Sequence, residues 1–191
     1  MDMKRVTEQL SRSIVIGYLL LLIPFTAMAQ APTSWSIQEG YEVQFSGKRA
    51  NGTFEGLEGK IHFDADQLTA SSFEVSVSVS TIDTGNKTKD KHARGKKWFG
   101  AEAFPKIYFR STTIEQTADG FLAKGELQIR GIKKRIDLPF NFTQTGDSGV
   151  FKGTMAVNRK DFDIMGNMFG FMVGDSFEVA LTVPVQKSTG L

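Results

Sequence analysis

The stretch Val79–Thr112, VSTIDTGNKTKDKHARGKKWFGAEAFPKIYFRST, decides how the rest of the chain is read. An apolar strand runs into an Asp-Thr turn at Asp83–Thr84. A charged, helix-compatible segment over Lys87–Phe99 follows and carries DKHAR, Asp90 to Arg94. It ends in the aromatic pair Trp98–Phe99, passes Phe104–Pro105, and returns to a strand at Ile107–Phe109. A short helix is thus set between two segments whose apolar residues recur every second position, the period of a half-buried strand.

Working outward, the same period dominates. Phe73, Val75, Val77 and Val79 alternate with Glu74, Ser76, Ser78 and Ser80. Phe121, Ala123, Gly125, Leu127 and Ile129 share one face of another strand, and Ile136, Leu138, Phe140 and Phe142 share one of a third. Phe177, Val179, Leu181, Val183 and Val185 form the last. Strict alternation buries one face and wets the other, as in antiparallel sheet. Turn signals at Ala118-Asp119-Gly120, Gly131 and Gly146–Gly149 separate the runs. About eight strands result, near Tyr41–Ser46, Gly52–Asp64, Ser72–Ile82, Lys106–Gln116, Gly120–Arg130, Lys134–Thr145, Gly149–Asn158 and Ser176–Gln186. An up-and-down run of eight antiparallel strands suits a closed barrel, because closure leaves no exposed edge. The charged helical segment would lie across or beside one mouth. Gly166–Gly174, GNMFGFMVG, is too rich in glycine for a strand and reads as a rim loop holding Phe169 and Phe171.

A barrel of this size can be filled by side chains or can hold one small ligand. Alternation points Val75, Val77, Phe109, Leu127, Phe140, Phe142, Val179 and Leu181 inward. The chain has 16 Phe, and flat Phe and soft Met adapt to flexible apolar chains. Phe is equally a natural core filler, and periodicity by itself does not separate a cavity from a packed interior.

The polar residues offer little catalytic chemistry. No serine carries a nucleophile signature such as G-x-S-x-G. His62 and His92 lie on different elements, a poor start for zinc, and no metal or cofactor is expected. Asp161 and Asp163 read as solvated turn residues. Asp83 and Thr84 would cap the helix that follows, and Asp90 or Arg94 would brace it against the rim. The alternative reading of the same cluster is recognition of a polar headgroup.

Composition excludes other classes. Net charge is +2 over 191 residues, which argues against a nucleic-acid partner. There is no cysteine, hence no disulfide, thiol catalysis or lipoprotein anchor. Lys4, Arg5 and Arg12 precede the apolar run Ile14–Phe25 and the small residues of Ala27-Met28-Ala29. This reads as a secretory signal over residues 1–29, cleaved before Gln30, with residues 30–191 as the single folded domain. The apolar run is shorter than the roughly 20 residues that span a bilayer, so no membrane span is expected after cleavage.

The order strand, D-T, helix with D-K-H-x-R, aromatic, x-P-x-I-x-F, strand resembles the YceI family. So do Gly52–Asp64 (GTFEGLEGKIHFD), Gly125–Phe140 (GELQIRGIKKRIDLPF), and Arg159 with Asp161–Ile164. The resemblance implies a lipocalin-like barrel that binds polyisoprenoid lipids in the periplasm or outside the cell, and not an enzyme. The implied ligand is a polyisoprenoid, its pyrophosphate or a prenylated quinone. It would be held by the inward residues above, by Trp98 and Phe99 near its head, and by Phe169 and Phe171 in the rim loop. His92, Arg94 or Lys97 would approach its headgroup. Two other readings stand beside this one: an envelope structural or stress-response barrel without a ligand, and an enzyme acting on an isoprenoid lipid. A homodimer is left open.

Overall fold

The computed structural model of the chain describes residues 32–166 and 173–188. The expected signal segment, and Phe169 and Phe171 of the rim loop, lie outside the described residues. The strands are β1 (Ser34–Ile37), β2 (Glu42–Gly47), β3 (Ala50–Phe54), β4 (Glu58–His62), β5 (Ser72–Ser78), β6 (Lys106–Thr117), β7 (Gly120–Ile129), β8 (Ile132–Thr145), β9 (Ser148–Asn158) and β10 (Ser176–Lys187), with the helix α1 (Lys87–Arg94) between β5 and β6. β4 to β10 pair in sequence order, each antiparallel to the next. β1 pairs with β4 on one side and with β10 on the other, from Trp35↔Lys187 to Ile37↔Val185, which closes the ring.

Ten strand segments make eight barrel strands. β1 and β2 both run along β10, the second from Thr182↔Glu42 to Phe177↔Gly47. They are two halves of one staggered strand, and β3 and β4 are the halves of the next. The breaks fall at Gly40 (φ 83°) and Gly56 (φ 70°), where a left-handed backbone suits a residue with no Cβ. There the Tyr41 hydroxyl accepts hydrogen bonds from the Gly56 and Leu57 amides at 2.8 and 3.1 Å, replacing lost ladder bonds. The closed eight-stranded meander is therefore as expected. The first strand begins earlier than Tyr41, because β1 spans four residues and is too short to show a period.

The interior divides along the barrel axis. At the end bearing the β4–β5, β6–β7 and β8–β9 connections, a block of rings fills the barrel. Phe63, 1% exposed, meets Phe121, Phe140, Phe142 and Phe151 edge-on with centroids 5.1–5.5 Å away. Phe142 stacks on Phe151 at 4.3 Å and meets Trp35 edge-on at 5.0 Å. Offset and edge-to-face pairs of this kind add to the burial of the rings themselves. At the other end β8 and β9 part company: their ladder covers only Phe140–Thr145 with Ser148–Gly153. A 3₁₀ turn, Arg159–Phe162, packs against β8 there, with Phe162 and Ile164 buried.

Candidate functional site

Above the ring block the barrel encloses a cavity of about 650 Å³. Ile61, Phe73, Phe140 and Phe151 form its floor, and Val75, Val77, Ile107, Phe109, Leu127, Val179, Leu181 and Val183 line its walls. Trp98 and Phe99 line it from the connection between α1 and β6. Arg49, Asn51, Thr84, Lys89 and His92 stand around the mouth. Among the described residues, no Asp or Glu lines it. A filled interior and a hollow one, the alternatives left by periodicity, are both present, one in each half of the barrel.

The inward residues expected from alternation line the cavity, with one correction. Phe142 points inward but lies behind the floor, packed between Trp35, Phe63 and Phe151. It sits two residues further than Phe140 along β8 toward the closed end, where the rings leave no space.

Local chemistry builds the mouth. Asn86, not Asp83 or Thr84, caps α1: its side-chain oxygen accepts from the Thr88 and Lys89 amides at 3.0 and 3.1 Å. Asp83 instead accepts from the Gly85 amide at 2.7 Å. Thr84 donates both its hydroxyl and its amide to Asp90 Oδ1, at 2.7 and 2.8 Å. Those donors hold the buried Asp90 carboxyl below the usual carboxylate range. Asp90 is therefore the brace that ties the helix to the turn before it. On the eight-residue helix, Lys89, His92 and Ala93 share the face turned to the cavity.

Of the expected headgroup residues only His92 lines the cavity. Arg94 donates from Nη1 to the Ser80 carbonyl at 3.1 Å and so acts as a second brace. Lys97 is exposed, and its carbonyl accepts from the Gly166 amide at 3.0 Å. Arg130 holds the aromatic segment by donating to the Lys96 carbonyl at 2.9 Å and to the Trp98 carbonyl.

Arg159, which the sequence offers as part of the family resemblance but not as a site residue, is the buried cation of the cavity wall, 5% exposed. It donates to the carbonyls of Ile164 (2.5 Å), Gly174 (3.0 Å) and Val173 (3.3 Å) and to Asp175 Oδ1 (2.8 Å). Its guanidinium carbon lies 5.9 Å from the centroid of the Trp98 ring. Lys160 foremost, with Arg159, keeps the Asp175 carboxyl below its ordinary range. The parity of Met155 and Val157 on β9, continued to Arg159 just past its end, was the available signal. The Trp98 Nε1 is enclosed and has no hydrogen-bond partner among the described residues.

Among the described residues, no cluster of three His, Asp or Glu that could hold a metal ion occurs. His62 Nδ1 on β4 lies 2.9 Å from Ser34 Oγ on β1, away from His92. Asp161 and Asp163 are exposed on the 3₁₀ turn and not on an extended segment, with Asp163 ending it at φ 54°.

The YceI-like domain family matches residues 33–185. The chain belongs to that family. A UPF0312 protein of Yersinia pestis is 27% identical over 164 residues, covering 78% of this chain and 85% of the relative. Another, from Yersinia enterocolitica, is 28% identical over 119 residues, 59% of this chain and 62% of the relative. Among solved structures, BcnA of Burkholderia cenocepacia superposes with a TM-score of 0.72 at 22% identity, over 78% of this chain and 99% of BcnA. A polyisoprenoid-binding domain from Saccharophagus degradans gives 0.64 at 12% identity, over 83% of this chain and all of that domain. At these identities the likeness is one of fold, and the YceI-like barrel described above is that fold.

Proposed function

We propose that this chain is an exported carrier that holds the hydrocarbon chain of an isoprenoid-type lipid inside the barrel. The cavity carries the reading: about 650 Å³, walled by apolar side chains, open at one end, with cations and no carboxylate among its described lining residues. Burial supplies the affinity, at roughly 0.8 kcal/mol per methylene removed from water, less the cost of ordering the chain. Arg49, Lys89 and His92 are placed for charge-assisted bonds to an anionic headgroup. The neighbouring Saccharophagus degradans domain, described as polyisoprenoid-binding, supports the choice of lipid. The secretory signature at Ala27-Met28-Ala29 supports export, with Gln30 as the mature N-terminus.

Native mass spectrometry of the purified protein, before and after organic extraction, tests the reading. An adduct that extraction removes and that is recovered as an isoprenoid-type lipid is expected. A bare protein that also excludes added polyprenyl phosphate overturns the carrier reading and leaves a ligand-free barrel. Intact mass of the cell-extracted protein tests export, where retention of Met1 overturns it.

A further inference from the structure

We infer that the mouth end of the barrel is a docking face for an anionic lipid bilayer, an inference that rests on the carrier reading above. The chain carries a net charge of only +2, but its topology sorts charge by end. The closed-end connections β4–β5, β6–β7 and β8–β9 contain Asp64, Asp66, Asp119 and Asp147 and no lysine or arginine. The mouth-end connections contain Lys48 and Arg49 between β2 and β3, Arg130 between β7 and β8, and six lysines and arginines between Lys87 and Lys97. In that last run the one carboxylate, Asp90, is buried and bonded to Thr84. The β9–β10 connection runs the other way, with Asp161, Asp163 and Asp175 against Arg159 and Lys160, and Asp83 and Glu102 also lie at this end; lysine and arginine still outnumber the acids there.

Pairing is denser on the wall than around the mouth. On the barrel wall Arg110 meets Glu74 at 2.9 Å, Lys124 meets Glu115 at 2.8 Å, Lys133 meets Glu126 at 3.5 Å and Lys106 meets Glu58, while Lys60, Lys134, Arg135 and Lys152 form no ion pair among the described residues. At the mouth, Lys48, Arg49, Lys87, Lys91, Lys96 and Lys97 are exposed, and none forms an ion pair among the described residues. Unneutralised cations on one end of a nearly neutral molecule make an axial dipole that orients it as it nears a charged surface. An anionic leaflet attracts such lysines within about a Debye length, roughly 8–10 Å.

Three features favour a bilayer over an acidic protein as the occupant. The cavity opens at this same end, so a lipid entering from an apposed leaflet avoids exposing its methylenes to water. Met165, 59% exposed beside the buried Ile164, offers an apolar foot at the rim. The cations stand on separate connections around an opening, which a fluid surface accepts without fixed register.

The test is co-sedimentation of the protein, purified from cells, with phosphatidylcholine vesicles with and without phosphatidylglycerol. Two charge-matched double variants are compared: Lys87→Glu with Lys91→Glu at the mouth, and Lys60→Glu with Lys152→Glu on the wall. All four positions are exposed, so surface changes there leave the fold in place, and unfolding midpoints check this. The original protein is expected to prefer phosphatidylglycerol vesicles at low salt and to lose the preference as salt rises. The mouth variant is expected to lose about tenfold or more in binding, and the wall variant far less. Equal losses in both variants overturn the proposal, since net charge alone would then explain them. So does an original protein indifferent to phosphatidylglycerol, which leaves an acidic protein as the partner. Lipid retention, read separately by native mass spectrometry, keeps the two readings apart. A lipid-loaded protein without vesicle preference refutes docking alone; vesicle preference without bound lipid refutes the carrier alone.

Discussion

Replacing Phe63 by Ala strikes the floor of the cavity from behind. Phe63 is 1% exposed and sits among Phe73, Phe121, Phe140, Phe142 and Phe151. Losing the transfer of a fully buried ring costs about 1.5–3 kcal/mol. The space left behind costs about 24 cal/mol per Å³, so a residual void of roughly 100 Å³ adds about 2.4 kcal/mol. The neighbours are themselves rings braced on the strands, so collapse is limited, and about 4–5 kcal/mol is expected, at the top of the range for buried Phe. For a domain of this length that is a fall in melting midpoint of roughly 10–15 °C. Circular dichroism melts give the midpoint, and urea titration gives the free energy. The vacated volume adjoins the cavity, so native mass spectrometry of the folded variant should also show a shift toward longer bound chains. A loss under about 2 kcal/mol would refute the close-packed floor.

Other perturbations separate braces from lining. Arg159→Lys is expected to lower the melting midpoint nearly as much as Arg159→Met, because a lysine cannot serve three carbonyls and a carboxylate at once; full rescue by lysine would show that charge alone matters there. The Asp90 carboxyl has its affinity for protons lowered in the fold, so its contribution is present above the unfolded value of about 3.9 and is lost as pH falls through the lower folded value. Amide exchange in Thr84–Arg94 should therefore accelerate below about pH 4 and, in Asp90→Ala, be fast at neutral pH as well; a pH-independent helix would contradict this. Trp98→Ala should reduce lipid retention with the fold intact, whereas Arg94→Ala should lower stability and leave retention by the folded fraction unchanged. The opposite pattern would move Arg94 into the site and Trp98 out of it.

Long alternating runs made the barrel legible. Phe73–Val79, Ile136–Phe142 and Phe177–Val185 each fix a face over several residues, and register errors there would have turned every apolar side chain outward. β1 escaped because four residues carry no period. The helix cap was misplaced by two to three residues, since Asp83, Thr84 and Asn86 are all capping types and only the observed start at Lys87 chooses among them. That offset also hid which cations face inward: with the start known, the i, i+3, i+4 spacing groups Lys89, His92 and Ala93 and leaves Arg94 outside. Arg159 falls where β9 turns into a 3₁₀ segment, so its place in the family motif gave no sign that its side chain enters the cavity wall. The cavity itself was not legible, because the alternation of Phe140 and Phe142 is the same whether a ring bounds a void or plugs it.

The ring block turns the barrel from a pipe into a blind well. Among the described residues the opening lies at one end, so on the carrier proposal a guest backs out the way it came, its polar end the last part in and the first part out. Depth then becomes a ruler. From Val157 at the mouth to Phe151 at the floor, β9 spans six residues, about 20 Å of strand. Carbons added beyond that depth stay in water and contribute nothing, so affinity should climb with chain length and then level off. Trimming or adding a ring at Phe63, Phe140 or Phe151 moves the bottom of the well, and with it the length at which the plateau begins.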